Sequence, residues 1–239
     1  MLNLNMNLKE LKYFLEVPEK LLSMDKEELK HIFGSDFATM QGYLQNNPHH
    51  CYDLLEHTIK TVEAIDCAEL SKDEIIELKI AALYHDVGKP SVAFEKSGKT
   101  VFYNHAIESR RISEKEFKDS GLDDNVINRI LFFIEYHDAF ISFKCPNEIK
   151  DKNNKFIIPI QKETVKSKVI SIKKDCAVKG SYVPKHKDFL LLLKLCLADV
   201  ETQSEVVMQN GIQLDSKRNK QRRLHSILAI IQNHTMNFK

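Results

Sequence analysis

The sequence predicts an all-α fold, a single helical bundle with a short hairpin or extended loop near residues 91–104. Apolar residues recur at three- and four-residue steps through most of the 239-residue chain, which is the period of amphipathic helices. Only 7 Gly and 6 Pro are present, and this disfavours a turn-rich all-β fold. Because hydrophobic residues make up 43% of the chain and no linker or internal repeat interrupts it, residues 1–239 are predicted to form one domain.

Residues 1–47 are predicted to form the N-terminal helices. The first helix carries an apolar stripe and ends at Pro18. The stripe consists of Leu4, Leu8, Leu11, Phe14 and Leu15. The second helix begins within Ser23-Met24-Asp25-Lys26-Glu27-Glu28, where an N-cap candidate precedes acidic residues, and it ends at Gly34.

Residues 48–200 are predicted to form the core of the bundle. After a loop at Asn46-Asn47-Pro48, one helix carries an apolar stripe from Leu54 to Ile65, and the next runs from Ser71 to His85-Asp86. Apolar residues that alternate around Lys96-Ser97-Gly98-Lys99 indicate the hairpin or extended loop. Further helices are predicted over residues 105–119, 123–137, 161–178, 186–208 and 215–236, with a charged loop at Lys150 to Lys155 and residues 201–239 assigned to the C-terminal helix.

The charge balance and the cysteines exclude several classes of protein. Lys and Arg number 35 against 34 Asp and Glu, so the net charge of +1 gives no bulk electrostatic case for nucleic acid or membrane binding. The 5 cysteines are odd in number and form no CxxC pair, which argues against a disulfide framework and a thiolate zinc site. Without a signal pattern or an apolar run of roughly 18 residues, the sequence predicts a soluble cytoplasmic protein with no membrane partner.

The doublet His85-Asp86 is the strongest functional signal. An apolar helical stretch delivers two adjacent metal-ligand side chains and then stops at Gly88 and Pro90, with Lys89 three residues beyond the aspartate. Adjacent residues on a helix diverge by about 100°, so both can reach one ion only near a helix end or beside a cleft. This placement favours a metal site.

Four further residues are candidate ligands, and each has an ordinary structural alternative. His57 lies on an otherwise aliphatic stripe, where a hydrogen-bonded core histidine is the alternative. His105 opens a helix, and His137 closes one, where the helix dipole favours a histidine without any metal. Asp199 lies in an apolar neighbourhood, where burial of its charge is costly unless it is paired or bound to a metal. The remaining histidines are interpreted as surface or loop residues, although two of them precede the His57 helix and could line the mouth of a site: His49 and His50.

The ordered set resembles the HD superfamily of metal-dependent phosphohydrolases, whose pattern is H…HD…H…H…D on a helical scaffold. The resemblance spans roughly residues 48–200, the expected metal-binding HD core. More locally, the segment from Gln45 to Thr58 is similar to the start of HD domains in bacterial CCA-adding tRNA nucleotidyltransferases and their stand-alone relatives. Such relatives often have Gly-His-Glu where this chain has Asn104-His105-Ala106. No Gly-Ser motif followed by a paired-aspartate strand precedes residue 48, so nucleotide polymerisation is not expected.

The resemblance implies a role for each residue. His57, His85, Asp86 and Asp199 would bind a first divalent ion, and Asp86 would bridge to a second ion held by His105 and His137. The number of ions, one or two, stays open. The identity of the metal also stays open among Mn, Fe, Co, Ni, Zn and Mg. An activated water would attack phosphorus while the ions and Lys89 offset charge on the phosphoryl oxygens. Arg110 and Arg111 are candidate outer phosphate contacts, with solvated helix charges as the alternative.

The resulting functional prediction is a phosphohydrolase, a phosphatase or phosphodiesterase, acting on a small phosphorylated substrate such as a nucleotide. The alternative is a non-catalytic HD-fold module that binds nucleic acid or regulates a partner. RNA is the partner suggested for it by the basic run Lys217-Arg218-Asn219-Lys220-Gln221-Arg222-Arg223, which a solvated helix face explains equally well. An HD-type iron oxygenase is a third alternative that no residue selects. The oligomeric state stays open.

Overall fold

The fold is described from a computed structural model, which covers residues 8–118, 120–143, 160–209 and 212–233. The predicted all-α class is confirmed, since helices make up most of these residues. The helices are α1 (Leu8–Glu16), a 3₁₀ helix (Pro18–Ser23), α2 (Lys26–Phe33), α3 (Ser35–Ala38), α4 (Leu54–Glu63), α5 (Lys72–Tyr84), α6 (Lys89–Val92), α7 (His105–Phe117), α8 (Asp124–Tyr136), α9 (Lys162–Val178), α10 (His186–Glu201) and α11 (Ser216–Asn233). The strands are β1 (Phe94–Lys96), β2 (Lys99–Val101), β3 (Val206–Gln209) and β4 (Ile212–Asp215).

Local signals in the sequence set where the helices begin. Helix α2 begins with a capping box in which Asp25 accepts a hydrogen bond from the Glu28 amide and Glu28 accepts one from the Asp25 amide. The cap is therefore Asp25, two residues inside the predicted start signal. Helix α5 has the same arrangement between Ser71 and Glu74, at the predicted position.

Helix α5 lies at the centre of the bundle. It packs against α4, α8 and α10, and its last turns are buried on every side, with Leu78, Ile80 and Ala81 fully inaccessible. A helix that is apolar all round must be enclosed by other helices. The C-terminal end of α5, where the His85-Asp86 doublet lies, is therefore surrounded by protein.

Two antiparallel hairpins interrupt the helices. The first pairs Phe94 with Val101 across a turn at Ser97 and Gly98, which confirms the hairpin predicted near residues 91–104. The second pairs β3 with β4, and it contradicts part of the predicted helix over residues 186–208. Helix α10 ends at Glu201 because Thr202 and Gln203 turn the chain, and the β-branched pair Val206-Val207 then enters a strand.

Several predictions concern residues outside those described. These are the Leu4 position of the first helix, the loop at Lys150 to Lys155 and the end of the last helix beyond residue 233. The assignment of residues 1–239 to one domain also stays a prediction. Among the helices described above, none combines the length and the apolar character that crossing a bilayer requires.

Candidate metal centre

The centre forms where α5 ends. His85 is the C-cap of α5, residues 85–88 form a turn, and α6 begins at Lys89. Both side chains of the doublet are buried, His85 at 0% and Asp86 at 1% exposure. The turn brings Lys89 Nζ to 2.7 Å from Asp86 Oδ2. The predicted placement of His85 and Asp86 at a helix end is therefore confirmed.

Gly88 allows α7 to approach this turn. Its amide donates a hydrogen bond of 2.9 Å to Ser109 Oγ, and a Cβ at Gly88 would lie 2.5 Å from the backbone nitrogen of Ser109. Helix α7 thus packs directly against the turn, and its first residue, His105, faces Asp86. Asn104 before it has a left-handed φ of 62°, a conformation that Asn tolerates better than most residues and glycine adopts freely.

The two oxygens of the Asp86 carboxylate face two different pairs of histidines. Oδ2 lies 3.4 Å from His57 Nε2 and 3.1 Å from His85 Nε2. Oδ1 lies 3.3 Å from His105 Nε2 and 3.6 Å from His137 Nε2. The carboxylate therefore stands between two imidazole pairs contributed by four separate parts of the chain.

Asp199 completes the cluster from α10. Its Oδ1 lies 3.3 Å from His57 Nε2, on the side of the cluster formed by α4. Nitrogen and oxygen atoms of two triads come within 4.8 Å of one another, and both triads include His85. The triads are His57-His85-Asp199 and His85-Asp86-His137. All six residues predicted as ligands are thus brought together.

Hydrogen bonds at Nδ1 orient the four imidazoles. His85, His105 and His137 each place Nδ1 2.7–2.9 Å from a backbone carbonyl three residues earlier. His57 Nδ1 lies 2.8 Å from Thr202 Oγ1, whose own proton is donated to the Asp199 carbonyl. A carbonyl can only accept, so Nδ1 carries the hydrogen in these rings and the Nε2 lone pair faces Asp86 or Asp199. Histidine ligands of metals are oriented in this way.

Burial and the neighbouring charges oppose one another at the carboxylates. Burial raises the pKa of Asp86, but the charges of His85 and Lys89 lower it by more than burial raises it. The pKa of Asp86 therefore lies well below its usual range. For Asp199, His57 likewise outweighs burial and lowers the pKa. Burial lowers the pKa of His57, yet Asp199 and Asp86 raise it above its ordinary value. The carboxylates that attract a proton to His57 would attract a cation in the same way.

Three atoms of the cluster are buried without a hydrogen bond from any described residue: His57 Nε2, His85 Nε2 and Asp86 Oδ1. Buried polar groups left unsatisfied are costly and call for an explanation. The Asp86 carboxylate pairs with the Lys89 ammonium, whereas Asp199 forms no ion pair with a lysine or arginine among the described residues. A divalent ion would satisfy the three atoms and balance the charge, and imidazole with carboxylate is a donor set that binds such ions. The residues therefore fit a metal.

A cavity of about 300 Å³ gives access to the cluster. Asp86, Lys89, His105, His137 and Asp199 line it, while His57 and His85 lie deeper and are 1% and 0% exposed. His49 and His50, which the sequence placed near the mouth of a site, also line it. The lining contains residues that sequence reasoning missed, notably Phe102, Tyr103, Asp138, Gln203 and Lys220. Asp138 had a signal, its position next to His137. Lys220 lay in the basic run but was not assigned to the site, and Gln203 had no signal.

One stretch of the chain matches a known family. Residues 54–164 match the family model of the HD domain. The domain contains His57, His85, Asp86, His105 and His137, whereas Asp199 lies beyond it. HD domains bind divalent metals and are generally metal-dependent hydrolases. No curated protein shows significant sequence similarity to the chain. The narrower resemblance to the HD domains of CCA-adding enzymes stays a prediction.

The predicted outer phosphate contacts, Arg110 and Arg111, lie away from the cavity. Arg110 forms ion pairs with Glu114 and with Glu135, at 3.4 and 3.1 Å. Arg111 pairs with Glu108 at 2.6 Å. Neither arginine is among the residues that line the cavity. The exposed Arg111 fits the alternative of a solvated helix charge, whereas Arg110 is held in an ion pair with the nearly buried Glu135 of α8.

The basic residues of the run 217–223, which lies beyond the HD domain, have different surroundings from one another. Lys217 pairs with Glu201 at 2.9 Å, and Arg218 lies 4.0 Å from Asp215. Lys220 faces the cavity. A run that supplies one residue to the cavity and pairs others with carboxylates is not a uniform basic surface.

Proposed function

We propose that this protein is a divalent-metal-dependent phosphohydrolase that acts on a nucleotide or a related phosphate ester. The observation that carries the proposal is the Asp86 carboxylate, which lies between His57 and His85 on one side and His105 and His137 on the other. The HD domain at residues 54–164 supports it independently.

The residues divide into two sets of ligands. His57, His85, Asp86 and Asp199 would hold the first ion. His105 and His137 would hold the second, with Asp86 bridging. When bound, such ions supply a water nucleophile of lowered pKa and offset negative charge on the phosphoryl oxygens. The support for two ions is that each oxygen of Asp86 has its own pair of imidazoles.

Lys89 is the proposed phosphate contact nearest to the ligands. Its ammonium lies 2.7 Å from Asp86 Oδ2 and 2.8 Å from Gln45 Oε1, over the Phe102 ring. These contacts fix the side chain at the wall of the cavity, beside the proposed ligands. There it can orient a phosphoryl oxygen and stabilise charge that develops on it.

The cavity supports a small substrate. Its volume of about 300 Å³ lies at the lower end of the range for small-molecule sites. Phe102 and Tyr103 line it beside Lys89, and Tyr103 is 57% exposed. Aromatic rings next to a phosphate site can stack on a base, which favours a nucleotide among phosphate esters.

The proposal is tested by metal analysis and hydrolysis of a phosphoester panel, before and after chelation. The wild type is expected to hold one or two ions per chain and to lose hydrolysis when they are removed. Asp86→Ala should lose metal and reduce hydrolysis by more than about 100-fold. Asp73→Ala makes the same change at an exposed site of the same helix and should leave both unchanged. Full metal and full hydrolysis in Asp86→Ala would show the proposal to be wrong.

The non-catalytic module is the alternative that this test also addresses. It predicts RNA binding that persists without metal and disappears when Lys217, Arg218, Arg222 and Arg223 are neutralised. The ion pairs of Lys217 and Arg218 do not favour it. The iron oxygenase has no observation in its support.

A further inference from the structure

Lys220 reaches the cavity from outside the HD domain. It lies in the second turn of α11, which packs against α10 and so against the helix that carries Asp199. Its neighbour Asn219 is buried, and the Lys220 side chain forms part of the cavity wall together with His49 and Lys89. Thus α11 contributes a cation to a site whose proposed ligands all come from earlier helices.

A short hydrogen-bond chain connects Lys220 to a proposed ligand. Lys220 Nζ donates to Gln203 Oε1 at 2.5 Å, and Gln203 Nε2 donates to Asp199 Oδ1 at 3.1 Å. Gln203 is 8% exposed, so water does not compete freely for these bonds. A single amide group therefore separates the Lys220 ammonium from the Asp199 carboxylate, which places the ammonium beside the proposed reaction site.

Lys220 has no carboxylate partner among the described residues. Lys89 has Asp86 at 2.7 Å, and Lys217, three residues before Lys220 on the same helix, has Glu201 at 2.9 Å. Lys220 instead donates its hydrogen bond to the neutral amide of Gln203. Burial lowers the pKa of Lys220, and the charges of Asp199 and Asp138 only partly oppose this. A half-buried ammonium without a counterion gains from an anion that enters the cavity.

Resting on the proposed function, we propose that Lys220 binds a phosphoryl oxygen of the substrate and makes the site select phosphate monoesters over diesters. A monoester near neutral pH carries close to two negative charges, and a diester carries one. Lys89 is already paired with Asp86, so Lys220 is the cation that would bind the second negative charge of a monoester. Gln203 positions the ammonium through its bond to Asp199. Lys220 is thus a substrate-binding residue that lies outside the HD domain.

The test measures anion binding to the metal-loaded full-length protein by calorimetry. The probes are inorganic phosphate, which is largely dianionic, and dimethyl phosphate, which is a monoanion. The wild type should bind phosphate more tightly than dimethyl phosphate. Lys220→Met should weaken phosphate binding about tenfold or more, remove most of that preference and leave the metal content unchanged. Lys220→Arg, which keeps the charge, should retain most of the phosphate affinity.

Lys166→Met provides the control for loss of a positive charge. Lys166 is exposed on α9 and does not line the cavity, so its removal should leave both affinities unchanged. The inference is overturned if Lys220→Met binds phosphate as the wild type does, if Lys220→Arg is as weak as Lys220→Met, or if the wild type does not prefer phosphate.

Hydrolysis separates this inference from the proposed function. If the wild type turns over no phosphoester while Lys220→Met loses the phosphate preference, the proposed function fails and the anion site stands. If the wild type hydrolyses esters and the Lys220→Met substitution leaves the preference between the two anions intact, the function stands and Lys220 is not its phosphate contact.

Discussion

Thr202 orients His57, one of the buried histidines of the centre. Its hydroxyl lies 2.8 Å from His57 Nδ1 and donates to the Asp199 carbonyl at 2.8 Å, so one side chain fixes the ring orientation of one proposed ligand against the backbone of another. Hydrogen-bond partners of this kind tune metal affinity without touching the ion. The centre thus depends on a residue that binds no metal itself.

Thr202→Val tests this dependence. The methyl group keeps the volume but leaves His57 Nδ1 without its partner, so metal affinity should fall by about 10- to 100-fold. A competition titration with a chromophoric chelator measures it. The exposed Thr39, whose hydroxyl donates to the Asp36 carbonyl, provides the control Thr39→Val, for which no change is expected. Equal metal affinities of Thr202→Val and the wild type would show that Thr202 does not support metal binding.

His49 at the cavity gives a pH dependence of stability. Burial, together with the charges of Lys220 and Lys99, lowers the pKa of His49 from 6.5 to about 4. The unfolded chain therefore binds more protons between these two values, and stability falls as pH drops from about 6.5 to 4. Because partial exposure screens the effect, His49 should account for about 1 kcal/mol of this fall in the free energy of unfolding. His49→Gln should remove that contribution. Urea unfolding of metal-free protein at pH 4.5 and 7.0 measures it, and an identical pH effect in both proteins would contradict the assignment.

The sequence predicted which residues come together at the centre better than it predicted the residues around them. His85-Asp86 at a helix end and the order of the other four residues were sufficient for prediction, and the structure brings all six together. Thr202, Gln203 and Lys220 were not predictable, because their contacts depend on the turn after α10 and on how α11 packs. Such contacts join parts of the chain that have no local pattern in common.

At the scale of elements, the contact between the α5–α6 turn and α7 determines where His105 lies. It depends on Gly88, where a Cβ would lie 2.5 Å from the Ser109 nitrogen. That atom belongs to the backbone, so it cannot move without displacing α7. The position of His105 thus depends on the absence of a side chain at Gly88.

Gly88→Ala should destabilise the protein by about 1–3 kcal/mol and reduce the metal stoichiometry at the His105 side of the centre. Urea unfolding and metal analysis measure the two effects. Ser91→Ala changes an exposed residue of the neighbouring α6 and should be neutral. If Gly88→Ala matches the wild type in both measurements, the close packing does not hold α7 in place.

Elements differ in how well the sequence predicted them. Capping boxes at Asp25 and Ser71 and the turn at Ser97-Gly98 are local signals, and the corresponding elements were found. The end of α10 at Glu201 was missed, because no Gly or Pro marks it. Thr202 ends the helix by bonds to the Asp199 carbonyl and to His57, a residue 145 positions away. Tertiary contacts of this kind override the apolar period.

At the scale of the molecule, the buried carboxylates link the stability of the fold to metal binding. Asp86 and Asp199 are enclosed by α4, α5, α8 and α10, and an ion that binds only the folded chain stabilises it. At a free ion concentration of 100 times Kd the gain is about 2.7 kcal/mol, which corresponds to roughly 5–10 °C in Tm for a chain of this size.

Chelation should therefore lower Tm by that amount, and restored metal should recover it. Asp86→Asn keeps the shape of the side chain but removes its charge, so its Tm should respond little to chelation. Differential scanning calorimetry with and without chelator measures both. A wild-type Tm that is insensitive to metal would contradict the linkage between the ion and the fold.

The most direct test of the central claim is to locate the ion. Crystals grown with Mn²⁺ or Zn²⁺ and measured at the absorption edge should show an anomalous peak about 2.0–2.2 Å from His57 Nε2 and His85 Nε2, with Asp86 and Asp199 as further ligands. A second peak between Asp86 Oδ1, His105 and His137 would establish the bridged pair. If these side chains lie as described in metal-loaded crystals and no peak stands among them, the cluster is not a metal centre.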